Sequence, residues 1–448
     1  MSPARRFFAL VALALTSVVS SASGQLGSPA GPVPVDRLVA RRTALLEKLH
    51  NGIAILRSTD ERDIETDYAQ DSDFRQDNDF FYLTGLESPE SWLVLVAHDS
   101  APDQVILYIP PRDSMQERWT GPKMGPGPEA TEVTGIGDVR SSKDAVREIR
   151  DLLASSATGP AKLTFFFLRH GGEKDSLFFR ELGIARDSTF LAHLDRKNLR
   201  GPLGVLRQVK DADELRRLRR AIDITTEAER EVMKQARPGW WEYEIEALIE
   251  YTFHRRGAER VGFPSIVGTG INSTTLHYDK SRAQTQPGDV VVLDIGAEFG
   301  YYTADVTRTI PISGRFSPRQ RAIYELVLGT QQAAMDSVRP GMTVMRLQQI
   351  ARNYMKEHSG DLCGTASCDR YFIHGLSHWL GMDVHDVGDY SLPLAPGMVL
   401  TVEPGIYIPA ERIGFRIEDD VLVTAQGHEN LSAGALRTAD EIERLMRR

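Results

Sequence analysis

At 448 residues the chain is too long for one ordinary hydrophobic core, so two domains are expected. Its 41% hydrophobic and 26% charged residues are those of a soluble globular protein. A net charge of −9 excludes the basic footprint of a nucleic-acid binder, and nucleic acid is not an expected partner.

The chain opens with Arg5 and Arg6, an apolar run from Phe7 to Val19 and small residues from Ser20 to Gly24. This pattern predicts a secretory signal peptide over residues 1–24, cut after Ala22 or Gly24, and hence an exported, periplasmic or secreted protein. A short membrane anchor is the alternative reading, but the apolar run falls short of the roughly 20 residues that span a bilayer. No later stretch is apolar enough to do so, and no stable membrane anchor is expected. Arg5 and Arg6 with Phe7 and Phe8 partly resemble a twin-arginine signal.

Beyond a Pro- and Gly-rich lead, residues 36–50 have helical amphipathicity. Strand-like runs follow at 53–56, 92–97, 105–109 and 163–168, interleaved with helical stretches such as 143–153. The alternation predicts an α/β domain over residues 25–206. From Asp211 to Lys234 charged and apolar residues recur at helical spacing, until Arg237-Pro238-Gly239 stops the helix. A second domain is therefore placed at residues 207–448, in a chain that is α+β as a whole.

That second half contains an internal echo. Arg237-Pro238-Gly239 opens a helical segment ending at Gly257, and Arg339-Pro340-Gly341 opens a similar one ending at Gly360. Pro287-Gly288 precedes a strand carrying Asp294; at the same spacing, Pro396-Gly397 precedes one carrying Glu403. His277 is echoed by His385, and Asp305 and Glu418 close the two halves. Two facing copies of one unit would bring these carboxylates together at a pseudo-twofold axis.

The segment 290–312 reads as strand, turn, strand, with Phe299, Gly300 and Tyr301 at the turn. Asp294 and Asp305 would meet on one face, where two carboxylates repel unless a cation lies between them. His374, His378 and His385 crowd one short apolar stretch, and a neutral imidazole serves either as a metal ligand or as a donor to an oxyanion. Glu403 ends a strand halted by Pro404-Gly405. Alternation puts Arg416 and Glu418 on the same face of another strand, with Arg416 orienting neighbouring carboxylates. Asp294, Asp305, His378, Glu403 and Glu418 form a hard, oxygen-rich ligand set suited to two divalent cations. Mn²⁺ fits best, and Co²⁺, Zn²⁺ or Fe²⁺ can occupy such ligands. The only two cysteines, Cys363 and Cys368, lie close together in a turn-rich segment. In an oxidising compartment they are expected to close a small disulfide loop before His374, with free buried thiols as the alternative.

The segments VLDIGAEFGYYTADVTRT, HGLSHWLGMDVHD, TVEPGIY and RIEDD resemble the signatures of the pita-bread metallopeptidases, and specifically the Xaa-Pro aminopeptidases. FRQDNDFFYLTGLESPESWLVL resembles that family's creatinase-like N-terminal domain, so the likeness covers nearly the whole chain after the leader. It implies that Asp294 binds one metal, His378 and Glu403 the other, and that Asp305 and Glu418 bridge both. It further implies a hydroxide between the metals, proton transfer by Glu403, carbonyl polarisation by His385 and His277, and a pocket shaped by His374 and Tyr407. Peptides with proline second are the implied substrates, with Xaa-Pro dipeptides (prolidase) as the alternative. A homo-oligomer, dimer or tetramer, is implied as well, with Trp119 as a candidate contribution to a neighbouring subunit's pocket.

Overall fold

The computed structural model describes residues 28–60, 74–158, 163–184 and 195–447, and the expected signal segment 1–24 lies outside them. The first half is built on a six-stranded mixed sheet. Its spatial order is Asp138–Ser141, Gln104–Ile109, Trp92–Ala97, Gly52–Arg57, Thr164–Phe167 and Arg196–Asn198. The two-residue period of these strands sorts their side chains. Ile53, Ile55, Val94, Val96, Phe165 and Phe167 face the helix Ala145–Thr158 through Ala145, Ile149 and Leu153. Ala54, Leu56, Leu93, Leu95 and Leu107 face the opposite way and pack with Leu38, Leu45 and Leu49 of the helix Val35–Leu49. The helices and strands expected in this half are present with end shifts of a few residues.

The helix Arg200–Gln208 runs across the boundary placed at 206/207. Next comes the long helix Ala212–Gln235, opened by a capping box in which Asp211 accepts from Glu214 N while Glu214 accepts from Asp211 N. Pro238 follows that helix as expected, because proline cannot supply the next N–H.

The duplication is visible as geometry. In one half, strands Val290–Ile295 and Val306–Pro311 pair antiparallel and enclose a small inner hairpin, Ala297–Phe299 with Tyr302–Thr303. In the other, Val399–Val402 pairs with Asp419–Val423 and encloses Gly405–Ile408 with Ile413–Arg416. Helices Glu242–Arg255 and Val344–His358 precede the two units. An antiparallel bridge between Thr307 and Glu418 joins them, with Glu418 N donating to Thr307 O at 3.0 Å.

At the tip of the first inner hairpin Gly300 and Tyr301 both have positive φ, 58° and 73°, as a tight two-residue turn requires. Glycine adopts this freely, and Tyr301 is held there by contacts outside the hairpin. Its ring stacks on Phe81 at 3.7 Å, and its hydroxyl donates to Glu87 and accepts from Gln76 N. The turn thereby docks one half of the molecule on the other.

Candidate metal centre and active site

The two units place their carboxylates at matching points. Asp294 is next to last in its outgoing strand, and Glu403 directly follows the corresponding one. Asp305 and Glu418 each stand one residue before a returning strand. Register explains the convergence of the first pair: Asp294 faces Thr307, and Asp305 lies two residues from Thr307 on the same side. One expectation needs correction. Arg416 and Glu418 do not share a strand, because Ile413–Arg416 ends before Asp419–Val423 begins. The inner hairpin must close and hand over to the outer ladder at Ile417, and both side chains still reach the centre.

The loop around His378 is pinned by strand Val399–Val402. His378 N donates to Thr401 Oγ1 at 3.1 Å, and Thr401 N donates back to His378 O at 3.0 Å. The ring's Nδ1 lies 3.1 Å from Trp379 O, a contact that requires the proton on Nδ1. Its Nε2 faces carboxylates, at 3.3 Å from Asp305 Oδ2, 3.4 Å from Glu403 Oε1 and 4.0 Å from Glu418 Oε1. One ligand atom from each of Asp305, His378 and Glu418 falls within a 4.8 Å sphere of mutual distance.

A ring nitrogen and three carboxylates converging on one point make a natural seat for a cation. The carboxylates also have unmet acceptor capacity. Asp294 Oδ1, Asp305 Oδ1 and Glu418 Oε1 are buried with no hydrogen-bond partner among the described residues. Burial, then the charges of Asp294, Asp420 and Glu403, drives the Asp305 carboxyl well above its usual range. Burial, then Asp305 and Glu403, does the same to Glu418. Glu403 is pushed up to about 7, mainly by burial, with His378 and Arg416 pulling the other way. Four carboxylates, three of them buried, with a single imidazole fit hard divalent cations, which would remove these penalties together.

Around this cluster, Arg416 is buried and hydrogen-bonds Asp294 Oδ2, Tyr407 Oη at 2.9 Å, Thr307 Oγ1 at 3.2 Å and Leu276 O at 3.4 Å. Thr307 in turn donates to Glu418 Oε2 at 2.6 Å. His374 receives Tyr407 O–H on Nε2 at 2.9 Å while its Nδ1 donates to Gly375 O at 2.7 Å. Burial and the Arg416 charge lower the His374 pKa to about 4, so this ring is neutral. His385, with its pKa lowered by burial and by His378 and His277, lies 4.2 Å ring to ring from His378 and 6.4 Å from His277.

The centre opens into a cavity of about 530 Å³ whose other wall is apolar, with Phe263, Ile266, Leu276 and Val384. Trp119 stands apart, 86% exposed on the short helix Glu117–Thr120 and absent from this lining. Cys363 and Cys368 are joined in a disulfide. Thr307, Thr401 and Asp420, whose Oδ2 accepts from Asp305 N at 3.1 Å, complete the support of the ligand set. Only Asp420 had any signal in the sequence, as a neighbour of Glu418 in RIEDD. Hydroxyl positions depend on cross-strand register, which the two threonines do not announce.

A duplicated helix-and-strand domain with an acidic, one-imidazole centre at its pseudo-twofold axis defines a pita-bread metallopeptidase. The family model "Metallopeptidase family M24" matches residues 216–425, and "Aminopeptidase P, N-terminal domain" matches 38–159. The Xaa-Pro aminopeptidase of Escherichia coli K12 is 34% identical, covering 91% of this chain and 96% of that relative. Two solved structures overlay closely. Zn-substituted E. coli aminopeptidase P in complex with product gives a TM-score of 0.82 at 32% identity, covering 93% of this chain and 99% of that one. Proline aminopeptidase P II from Yersinia pestis gives 0.81 at 34%, covering 92% and 99%. The chain belongs to metallopeptidase family M24, and within it to the Xaa-Pro aminopeptidases.

Proposed function

We propose that this metallo-aminopeptidase is exported and removes the N-terminal residue from peptides with proline in second position, using two divalent cations, most suitably Mn²⁺. The observation that carries the reading is the convergence of His378 Nε2 on Asp305, Glu403 and Glu418, beside buried carboxylate oxygens that lack partners among the described residues. Export is supported by the basic, apolar and small-residue order of residues 1–24, and by the paired cysteines. Among the described residues no helix is long and apolar enough to cross a membrane.

Asp294 would hold one metal, His378 and Glu403 the other, and Asp305 and Glu418 would serve both. When bound, such a pair would acidify a water for attack and supply positive charge to the scissile carbonyl. Glu403, at the cavity wall, takes up the proton released on attack and returns it to the departing proline nitrogen. His385 and His277 donate to the carbonyl oxygen as negative charge develops there. Arg416 fixes Asp294 and Tyr407, and Tyr407 fixes the His374 ring, so the pocket keeps its shape as the substrate enters. A homo-oligomer in which exposed Trp119 reaches a neighbouring copy's pocket completes the proposal.

Two measurements test it. Mass-spectrometric analysis of an Xaa-Pro-Xaa tripeptide and an Xaa-Pro dipeptide offered together should show release of the first residue mainly from the tripeptide. Exclusive cleavage of the dipeptide would make the enzyme a prolidase, and no cleavage would sink the peptidase reading. Glu403→Gln and Asp305→Asn should each lower kcat by roughly 10²-fold or more, and near-normal turnover in either rules out the two-metal site.

A further inference from the structure

The loop Gly381–Gly388, which carries His385, contains no helix or strand. Its position is set by charges drawn from outside the duplicated units. The Arg207 guanidinium, on the helix that joins the two halves, donates to Asp386 Oδ1 at 2.5 Å and to Asp383 Oδ2 at 2.8 Å. Its other arm donates to Asp79 Oδ1 at 2.7 Å, on the helix Asn78–Thr84 of the N-terminal half. The Lys210 ammonium holds the second oxygen of Asp386 at 3.1 Å. Side-chain exposures of 2% for Arg207, 0% for Lys210, 1% for Asp386 and 11% for Asp79 take these ion pairs largely out of water.

Other contacts converge on the same loop. Asn78 Nδ2 donates to Met382 O at 3.2 Å, and Asp386 N donates to Trp379 O at 2.9 Å. Gly381 passes so close that a Cβ there would stand 2.0 Å from Asp386 Oδ2. Desolvating two cations and their carboxylates is costly, and apolar packing of equal volume would stabilise a domain junction at least as well. What the cluster adds over apolar packing is direction. A guanidinium is a rigid planar fork, so fixing one arm on Asp79 fixes the angle at which the other presents itself to Asp386. Asp386 is the chain neighbour of His385, whose ring lies 4.2 Å from that of His378.

We propose that Asp79 acts through Arg207 and Asp386 as a positioning residue for His385, so that docking of the N-terminal half sets where this imidazole stands over the metal ligands. The inference rests on the reading of His385 as a donor to the substrate carbonyl. The test is a kinetic double-mutant cycle on the full, metal-loaded chain: Asp79→Asn and His385→Ala, separately and together, with metal content measured for each. Asp79→Asn is expected to lower kcat about 10- to 100-fold through misplacement of the ring, with KM and metal content little changed. In the His385→Ala background it should cause no further loss. A cluster that merely stabilised the fold would lower kcat by the same factor in both backgrounds, and that result overturns the proposal.

If His385→Ala alone keeps wild-type turnover, the catalytic reading of His385 falls and the coupling falls with it. If His385→Ala is impaired and the losses multiply, only the coupling falls. Asp79→Glu, which keeps the charge on Arg207 but displaces it, carries the same cycle should Asp79→Asn fail to fold.

Discussion

Glu229 shows what burial does to one residue of this fold. It lies on the helix Ala212–Gln235 with no exposed surface, and neither carboxyl oxygen has a partner among the described residues. Burial pushes its pKa up from 4.5 to about 8 against the pull of Arg308, whose charge is already engaged by Asp419 at 2.8 Å. Below pH 4.5 the folded and unfolded chains both hold this proton. Between 4.5 and about 8 only the folded chain does, so the stability contributed by the neutral acid is lost as pH rises through that window. The slope approaches about 1.4 kcal/mol per pH unit. Glu229→Gln keeps the shape and removes the titration. Thermal melts should show the variant more stable than wild type at pH 8, with the gap closing toward pH 5, and an equal difference at both pH values would refute the assignment.

Among the elements, the disulfide segment separates stability from activity. Cys363 and Cys368 are five apart in sequence and tie the stretch between the helix Val344–His358 and His374. Closing so short a loop is worth about 2 kcal/mol through the unfolded state. Yet the same stretch is also held by Arg352, which donates to Asp369 O at 3.2 Å and Phe372 O at 2.8 Å, and by Cys368 N donating to Ser359 Oγ at 2.9 Å. Phe372 meets His374 edge-on at 5.0 Å. Cys363→Ser with Cys368→Ser should therefore lower the unfolding free energy by about 2 kcal/mol and leave kcat/KM near the wild-type value. A large fall in kcat/KM without loss of stability would show that the disulfide, and not Arg352, places His374.

At the scale of the molecule, one of the three buried clusters among the described residues is shared by the two halves. Leu38, Phe80 and Leu83 of the first pack in the same cluster as Leu380, Met382, Val399 and Leu422 of the second. Strand Val399–Val402 borders that shared core on one side and supports His378 through Thr401 on the other. Metal binding should therefore stabilise the whole chain. Divalent cation at 100 times its Kd should add about 2.7 kcal/mol by mass action, read as a rise in Tm over the chelator-treated protein. Asp305→Asn should abolish most of that rise, and a rise of the same size in the variant would place the stabilising ion elsewhere.

The sequence by itself determined the elements and the chemical types at the centre. Two-residue and helical periods, Pro-Gly stops and the repeated spacing of Asp294 and Glu403 act over a few residues, and so they located the strands, the helices and the duplication. The ligand-type residues were legible only as a set, because four carboxylates and a histidine recur at repeat-related positions among apolar residues, where any one alone would read as a salt bridge or a solvated edge. Tertiary structure decided everything that depends on partners distant in the chain. It ended one strand at Arg416 and began another at Asp419. It left Trp119 in solvent and recruited Thr307 and Thr401, whose roles come from register alone. It also brought Asp79, Arg207 and Asp386 to one buried point. No local pattern marks such a point, because an ion pair between residues far apart in sequence exists only once the two halves have docked.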